Sequence, residues 1–171
     1  MKTYKAALVG YGGMGRWHKT GICKTPRVIL DGVYDINPAR MDAAREDGIT
    51  TAYPSYEALL ADPSVDIVVV ATPNNFHMPL ACQALEAGKA VVCEKPVTMT
   101  SEELQTIMDT ADRTGSLFTV HQNRRWDKDY AIIKKILADG TIGTPYFIES
   151  RVQGSRRAMH GWRSYKVNGG G

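Results

Sequence analysis

The sequence predicts an α/β fold, a doubly wound parallel sheet with helices on both faces. Two observations support this prediction: short apolar runs rich in β-branched residues alternate with helix-like segments, and Val65–Ala71 is almost continuously apolar. Such strands are typical of parallel sheets whose two faces are both covered. The 171 residues, 43% of them apolar, suffice for one such domain and only the start of a second, α+β domain.

The amino-terminal elements follow the order strand, helix, strand. Lys5–Gly10 is predicted to be a strand, Met14–Lys24 a helix and Val28–Tyr34 the second strand. The dipeptide Asn37-Pro38 predicts the start of the next helix, because asparagine caps the first free amides and proline suits the first helical position.

The remaining segments continue this alternation. Ser55 predicts the cap of a short helix through Leu60, and Thr100 with Glu103 predicts a capping box for a helix to about Thr114. The other predicted elements are a helix at Pro79–Ala87 closed by Gly88, strands at Ala90–Cys93 and Leu117–Val120, a helix with Tyr130, Ile133 and Leu137 on one face before Gly140, and a strand at Tyr146–Val152. We expect this last strand to be an unpaired edge that seeks a partner.

A glycine-rich turn separates the first predicted strand from the first predicted helix. It consists of Gly10, Tyr11, Gly12, Gly13, Met14 and Gly15. Glycines at these positions let the backbone approach a pyrophosphate, which free amides and the positive end of the helix then hold. Asp35, about 20 residues further on, would accept hydrogen bonds from the adenosine ribose. Together these features predict a dinucleotide-binding Rossmann domain.

Residues around the second strand bear on the choice of cofactor. The charge of Asp35 repels a ribose phosphate and favours NAD over NADP. Arg40 would flank the adenine, offset that repulsion, or be only an exposed helix charge, so NADP stays open. Ile36, next to Asp35, is expected to line the same site.

Polar segments also follow the later strands of the predicted sheet. They comprise Ala71, Thr72, Pro73, Asn74 and His77, then Glu94, Lys95 and Pro96, and finally His121, Asn123, Arg124 and Arg125. Because the carboxyl ends of parallel strands meet at one edge of a sheet, we expect all these segments at one rim. His77 would face the cofactor or only pack in its helix, and the residues from His121 onward would meet substrate hydroxyls or tie loops together.

Taken in chain order, these motifs resemble the glucose-fructose oxidoreductase, inositol dehydrogenase and rhizopine catabolism (Gfo/Idh/MocA) family. The resemblance is carried by the glycine-rich turn, Asp35 with Asn37-Pro38, Ala71–His77, Glu94-Lys95-Pro96, and Trp162-Arg163 before the terminal glycines. It implies a two-domain oxidoreductase that transfers hydride between a nicotinamide cofactor and a sugar, inositol or related polyol.

The resemblance also implies roles for single residues. Lys95 would reach the substrate hydroxyl and the nicotinamide ribose, where its ammonium stabilises a developing alkoxide or takes part in proton transfer. The alternative is a surface lysine paired with Glu94. A cis bond at Pro96 would direct Lys95 toward the site. The implied cofactor contacts include Thr72, Pro73, Asn74, Trp162 and Arg163, and the implied substrate contacts include Asn123 and Arg125, whereas Trp17 and Trp126 are expected to pack.

Composition limits the other classes of function. The basic residues of the last segment, Arg151, Arg156, Arg157, Arg163 and Lys166, lack the coherent face of a nucleic-acid binder, so we expect no nucleic-acid partner. The three cysteines show no ligand spacing or close pairing, which favours a reducing cytoplasm and indicates no metal site. Apolar runs are too short for a membrane span, and we expect no membrane partner.

The family pattern includes a second domain with an aspartate and histidine motif and an open sheet that supports oligomerisation. We therefore expect residues 1–125 to be the NAD-binding domain and residues 126–171 a linking helix with the truncated start of the substrate domain. This chain alone should bind cofactor and turn over slowly or not at all, and the full-length form should be a homo-oligomer. A non-catalytic regulator or cofactor sensor, and another nucleotide binder such as a methyltransferase, stay open as alternatives.

Overall fold

A six-stranded parallel sheet forms the centre of the computed structural model, which describes residues 2–151, 153 and 161–169. The strands are β1 (Tyr4–Val9), β2 (Val28–Tyr34), β3 (Thr51–Ala52), β4 (Ile67–Val70), β5 (Ala90–Cys93) and β6 (Phe118–Val120). Their order is β3-β2-β1-β4-β5-β6, and every neighbouring pair is parallel. This is the doubly wound order, in which ligands bind where the winding reverses, between β1 and β4.

Helices connect the strands. In the described part of the chain they are α1 (Gly13–Ile22), α2 (Pro38–Glu46), α3 (Tyr56–Ala61), α4 (His77–Glu86), α5 (Ser101–Thr114) and α6 (Lys128–Ala138), with short 3-10 turns at Asn74–Phe76, Asn123–Trp126, Gly161–Ser164 and Lys166–Asn168. None of these described helices combines the length and the apolar character that a membrane crossing requires.

The chain divides into two compact units. One comprises Met1–His121 with Trp162–Gly171, and the other comprises Gln122–Gly161. The first unit therefore holds the whole sheet and α1 to α5, and the second holds α6. The predicted functional division at residue 125 stays a prediction.

Both faces of the sheet are buried. Alternate residues of β1 enter different core clusters: Ala7 and Val9 pack with Leu59, Leu85 and others, whereas Leu8 belongs to a second cluster. That second cluster contains Val33, Val69, Met41, Ala44 and Ile49. Because side chains alternate across a strand, helices on each face cover one of these sets, which explains the nearly continuous apolar strands.

Local signals located most of the elements. The strands Val28–Tyr34 and Ala90–Cys93 have the predicted bounds, and the predicted caps form: Asn37 accepts from Ala39 N at 3.0 Å, Ser55 from Ala58 N at 3.1 Å and Thr100 from Glu103 N at 3.3 Å. The Glu103 carboxylate accepts from Met99 N at 2.9 Å. The bounds of most other predicted elements differ by one or two residues: for example, α1 covers Gly13–Ile22, β4 covers Ile67–Val70 and α4 begins at His77. The strand β3 was missed because it has only two residues.

Two expectations were wrong. Residues 146–151 form no strand, because no described segment offers them a hydrogen-bonding ladder, and Val152 lies outside the described residues. Trp126 does not pack into a core: it ends the turn Asn123–Trp126 and is 83% exposed. Trp17, in contrast, packs as expected: it is half-exposed, and its ring contacts the imidazoles of His18 and His121.

The glycine-rich turn brings backbone segments very close together. Gly10 has a φ of +94°, and a β-carbon there would lie 2.6 Å from the Ala71 carbonyl oxygen. A β-carbon on Gly15 would lie 2.2 Å from the Gly10 carbonyl oxygen. At Gly13 nothing lies within 4 Å of such an atom. Only part of the motif is therefore required for packing, and Gly13 leaves space beside the turn.

We expect Gly15→Ala to lower the free energy of unfolding by roughly 1–3 kcal/mol, because the new methyl group would overlap the Gly10 carbonyl. Gly13→Ala is the matched control, and we expect it to change this quantity by less than about 0.5 kcal/mol. Urea unfolding followed by circular dichroism measures both. Equal losses in the two variants would contradict the difference in packing.

Candidate functional site

The loops after five strands form one continuous rim at the carboxyl edge of the sheet. Backbone hydrogen bonds connect their first residues: Gly10 N donates to Tyr34 O at 2.8 Å, and Ala71 N to Val9 O at 2.8 Å. On the other side, Glu94 N donates to Val70 O at 3.0 Å, and His121 N to Cys93 O at 2.8 Å. The structure therefore brings together the segments that the sequence placed at one rim, as far as His121.

The glycine-rich turn presents the amino terminus of α1. Gly12 precedes the helix, no side chain caps the first amides, and the first turn contains no acidic residue. These amides and the positive end of the helix dipole thus lack a side-chain partner. With the open space beside Gly13, this arrangement fits a pyrophosphate.

Asp35 connects this turn to the end of β2. Its Oδ2 accepts from Tyr11 N at 2.7 Å and from the Arg40 guanidinium at 3.3 Å, and its Oδ1 accepts from Asn37 N at 2.8 Å. The side chain is only 3% exposed. A carboxylate has about four acceptor positions, so the three protein contacts leave room for one more donor, such as a ribose hydroxyl.

The side chain of Tyr11 also helps to hold the glycine-rich turn in place. Its side chain is buried, and its hydroxyl donates to Asp47 Oδ2 at 2.8 Å. Burial first, and then this hydrogen bond, raise the pKa of Tyr11 to about 12. Tyr11 therefore stays a neutral hydrogen-bond donor, and its contribution to the site is the conformation of the turn.

A cavity of about 350 Å³ lies beside Asp35. Its lining includes Val9, Gly10, Tyr34, Asp35, Ile36, Arg40, Tyr56, Thr72, Pro73, Phe76 and Leu80. The rings of Tyr34 and Tyr56 stack with their centroids 6.2 Å apart. Largely apolar walls with the carboxylates of Asp35 and Glu57 and the guanidinium of Arg40 among them suit a nucleoside, whose base is planar and whose sugar is polar.

The loop after β4 is held by its own side chains. The Asn74 amide donates to Gly169 O at 2.9 Å, which attaches the segment 161–169 to this loop. The ring nitrogens of buried His77 lie 3.0 Å from Thr72 O and 3.0 Å from Pro96 O. Asn74 and His77 thus join segments of the rim, and their predicted cofactor contacts stay predictions.

The segment after β5 has a buried acid followed by an exposed base. Glu94 Oε1 lies 2.8 Å from His18 Nε2 and 2.9 Å from His121 Nδ1, and its Oε2 accepts from Lys95 N at 3.2 Å. Within the described residues no ion pair joins the Lys95 ammonium to Glu94, so the pairing assumed in that alternative does not form, whereas Lys95 does lie at the surface. The Lys95–Pro96 peptide bond is cis.

The charge of Glu94 depends on these contacts. Burial by itself raises the pKa of the carboxyl, but the hydrogen bond from His18 and the charges of His18 and His121 outweigh burial, so the pKa lies below its usual range. The carboxylate is thus ionised at neutral pH.

Sequence reasoning missed this cluster of His18, Glu94 and His121, called here the Glu94 cluster. His18 received no role, and the local signal was only its position one helical turn after Gly15. The three donor atoms lie within 4.8 Å of one another, and such a set could hold zinc. The expectation of no metal site stays a prediction.

The remaining predicted site residues lie in other segments, and the structure does not describe the side chain of one of them. Asn123 and Arg125 belong to the turn Asn123–Trp126 of the second unit, where neighbouring Arg124 forms an ion pair with Asp127 at 3.0 Å. Trp162 is partly buried in the first unit, whereas the side chain of Arg163 lies outside the described structure.

Comparison with known sequences decides the family. The model of an oxidoreductase family with an NAD-binding Rossmann fold, Gfo/Idh/MocA, matches residues 4–122. The chain belongs to this family. The predictions of a doubly wound sheet, an oxidoreductase family and NAD as the family's cofactor are therefore confirmed.

Two curated relatives of this Gfo/Idh/MocA chain are named as inositol enzymes. A scyllo-inositol 2-dehydrogenase (NADP(+)) of Bacillus subtilis is 32% identical over 146 residues, which cover 82% of this chain and 39% of that protein. The inositol 2-dehydrogenase/D-chiro-inositol 3-dehydrogenase of Lactiplantibacillus plantarum is 33% identical over 151 residues, with coverages of 86% and 43%. The chain spans less than half the length of either relative.

A solved structure is also very similar to this family member. The NAD-binding protein from Listeria innocua is 51% identical, with a TM-score of 0.96 over 99% of this chain and 50% of that one. The apo scyllo-inositol dehydrogenase from Lactobacillus casei is 29% identical, with a TM-score of 0.76 over 83% of this chain and 43% of that one.

We expect Glu94→Gln to lower the free energy of unfolding at pH 7 by about 1–3 kcal/mol, because an amide group would replace a buried hydrogen-bonded carboxylate. The folded-state pKa of Glu94 lies below its ordinary value of 4.5, so this stabilisation is present above pH 4.5 and is lost as the pH falls through the folded-state pKa. The difference between the two proteins should therefore shrink in acid.

Urea unfolding at a series of pH values measures this difference. Glu86→Gln is the matched control, because Glu86 forms an exposed ion pair with Arg113, and its curve should run parallel to that of the original protein. A Glu94→Gln difference that is constant with pH would contradict the charged state of Glu94.

Proposed function

We propose that this chain is the NAD-binding domain of a dehydrogenase that transfers hydride between a nicotinamide cofactor and a hydroxyl carbon of a sugar, inositol or related polyol. The observation that carries the proposal is the placement of the uncapped α1 terminus, buried Asp35 and exposed Lys95 along one rim. The names of two relatives, both inositol dehydrogenases, support the substrate class.

The proposed cofactor site uses the features of the rim in order. The amides at the start of α1 bind the pyrophosphate, and Asp35 accepts a hydrogen bond from the adenosine ribose. The cavity beside Tyr34 and Tyr56 holds the adenine. The other proposed contacts are those of Tyr11, Met14, Ile36, Ala71, Thr72, Pro73, Asn74, His77, Glu94, Pro96, Trp162 and Arg163.

NAD is the preferred cofactor in this proposal. The carboxylate of Asp35 would repel a 2′-phosphate on the ribose. Arg40 pairs with that carboxylate, lines the cavity and is about half-exposed. Because this positive charge partly offsets the repulsion, the proposed site also binds NADP, but more weakly than NAD. The name of the Bacillus subtilis relative includes NADP(+), which supports the proposal that NADP also binds.

Lys95 is the proposed catalytic residue. The nicotinamide, when bound, supplies the hydride acceptor. Lys95 donates a hydrogen bond to the substrate hydroxyl and stabilises the negative charge that develops on its oxygen. The exposed ammonium has no competing ion pair among the described residues, so it is free to bind this oxygen, and this favours an enzyme over a cofactor sensor.

The rest of the proposal concerns the whole protein. Asn123 and Arg125 of the second unit are proposed substrate ligands on the sequence resemblance alone. Residues 1–125 and 126–171 are proposed as the NAD-binding domain and the start of the substrate domain. We further propose a cytoplasmic homo-oligomer without nucleic-acid or membrane partners.

Calorimetric titration with NAD and NADP tests the cofactor site. We expect the chain to bind NAD, and Asp35→Ala to raise the dissociation constant at least about tenfold, a loss of about 1.4 kcal/mol. Asp42→Ala is the matched control, since Asp42 lies on the exposed face of α2 and pairs with Arg45. No NAD binding by the folded chain, or equal weakening by both variants, would overturn the site.

Lys95→Met separates binding from chemistry. In any form of the protein that oxidises a polyol, we expect the variant to bind NAD within about threefold of the original affinity and to lose roughly 10²–10⁴-fold in kcat. Lys128→Met, which changes a lysine at the start of α6, is the control for loss of a positive charge. Retention of kcat in Lys95→Met would exclude Lys95 as the catalytic residue.

A further inference from the structure

The Glu94 cluster joins three distant parts of the first unit. His18 lies on α1, Glu94 follows β5 and His121 follows β6, and His18 is 76 positions from Glu94 in sequence. Both imidazoles bond the same oxygen, Oε1, and the other oxygen accepts from the Lys95 backbone amide. The backbone of Lys95 is thus connected to both histidines through a single carboxylate.

The buried Glu94 carboxylate determines which ring nitrogen of each histidine must carry hydrogen. The Glu94 side chain is only 6% exposed, and a buried carboxylate must be hydrogen-bonded to remain charged. Because an ionised carboxylate only accepts, His18 must carry hydrogen on Nε2 and His121 on Nδ1. The cluster therefore requires a defined protonated nitrogen on each imidazole.

Ring packing restricts the orientation of these groups. The centroids of the His18 and His121 rings lie 4.6 Å apart. The indole of Trp17 lies 5.6 Å from the His18 ring and 5.1 Å from the His121 ring. Both imidazoles thus pack against the same indole, and rotation of either ring would disturb this packing and its hydrogen bond to Glu94.

We propose that His18 and His121 are positioning residues for Lys95. They hold the Glu94 carboxylate in the orientation in which Oε2 accepts the Lys95 amide, and this contact fixes the backbone from which the Lys95 side chain reaches the substrate oxygen. The catalytic role of Lys95 in this inference rests on the proposed function.

A metal site is the competing interpretation of the same three residues. Histidines that bind a metal usually donate their second ring N–H to another group. Within the described part of the chain, neither His18 Nδ1 nor His121 Nε2 has a hydrogen-bond partner. The contacts of 2.8 Å and 2.9 Å to Glu94 are ordinary hydrogen bonds, which favours the positioning role.

Two pairs of variants test this role. Glutamine at position 18 places an amide nitrogen near the position of Nε2, and asparagine at position 121 places one near that of Nδ1, so His18→Gln and His121→Asn keep the donor. His18→Leu and His121→Leu remove it. A merely structural contribution would follow side-chain volume, whereas a positioning contribution follows the hydrogen-bond donor.

The first measurement is amide hydrogen exchange by NMR on the chain without cofactor. We expect each leucine variant to accelerate exchange of the Lys95 amide by about tenfold relative to the β5 amides, which report general destabilisation. The donor-retaining variants should restore slow exchange. Nitrogen-15 spectra of the original protein should show hydrogen on His18 Nε2 and His121 Nδ1 at neutral pH.

The second measurement is kinetic, in a form of the protein that oxidises a polyol. We expect the leucine variants to lower kcat about tenfold with little change in KM, and the donor-retaining variants to restore it. Failure of the wild type to bind NAD or oxidise a polyol would refute the proposed function, while the exchange measurement would still test the contact.

Three results would overturn the inference. The Lys95 amide could exchange equally in all variants, the donor-retaining variants could behave like the leucine variants, or zinc chloride alone could bind tightly at one equivalent and lose this binding in His18→Leu. The last result would assign the Glu94 cluster to a metal site.

Discussion

The buried carboxylate of Asp35 is the contact on which the geometry of the site depends. A charge removed from water must be satisfied by donors, and Asp35 takes two of them from the backbones of Tyr11 and Asn37. The glycine-rich turn and the start of α2 are therefore held at a common point. The same requirement that makes burial of the charge costly makes the relative position of these two segments well defined.

Glu94 repeats this arrangement on the other side of β1 and β4. It too is a buried carboxylate at the end of a strand, surrounded by N–H donors. Both acids are thus occupied mainly by protein groups, whereas the bases next to them in the site, Arg40 and Lys95, are exposed. Each of these two buried negative charges thus has an exposed positive charge beside it, which suits a cofactor that carries phosphates.

Local sequence patterns predicted most helices and strands, whereas contacts between residues distant in sequence were not predicted. Asn37, Ser55 and Thr100 cap their helices through bonds to neighbouring residues, so the local sequence contains the whole signal. The bond between His18 and Glu94 depends on the packing of α1 against the sheet, which no spacing encodes. The segment 146–151 failed as a strand for a related reason, since its alternation of side chains cannot form a strand without a neighbouring ladder.

The contact between Asn74 and Gly169 couples the mutational tolerance of two positions 95 residues apart. Gly169 has a φ of +77°, and a β-carbon there would lie 2.8 Å from the β-carbon of Asn74. A larger residue at 169 would require both a strained backbone and a smaller or displaced neighbour at 74. A change at 169 should therefore be accompanied by a change at 74, whereas a change at 74 alone would remove only the hydrogen bond to the Gly169 carbonyl.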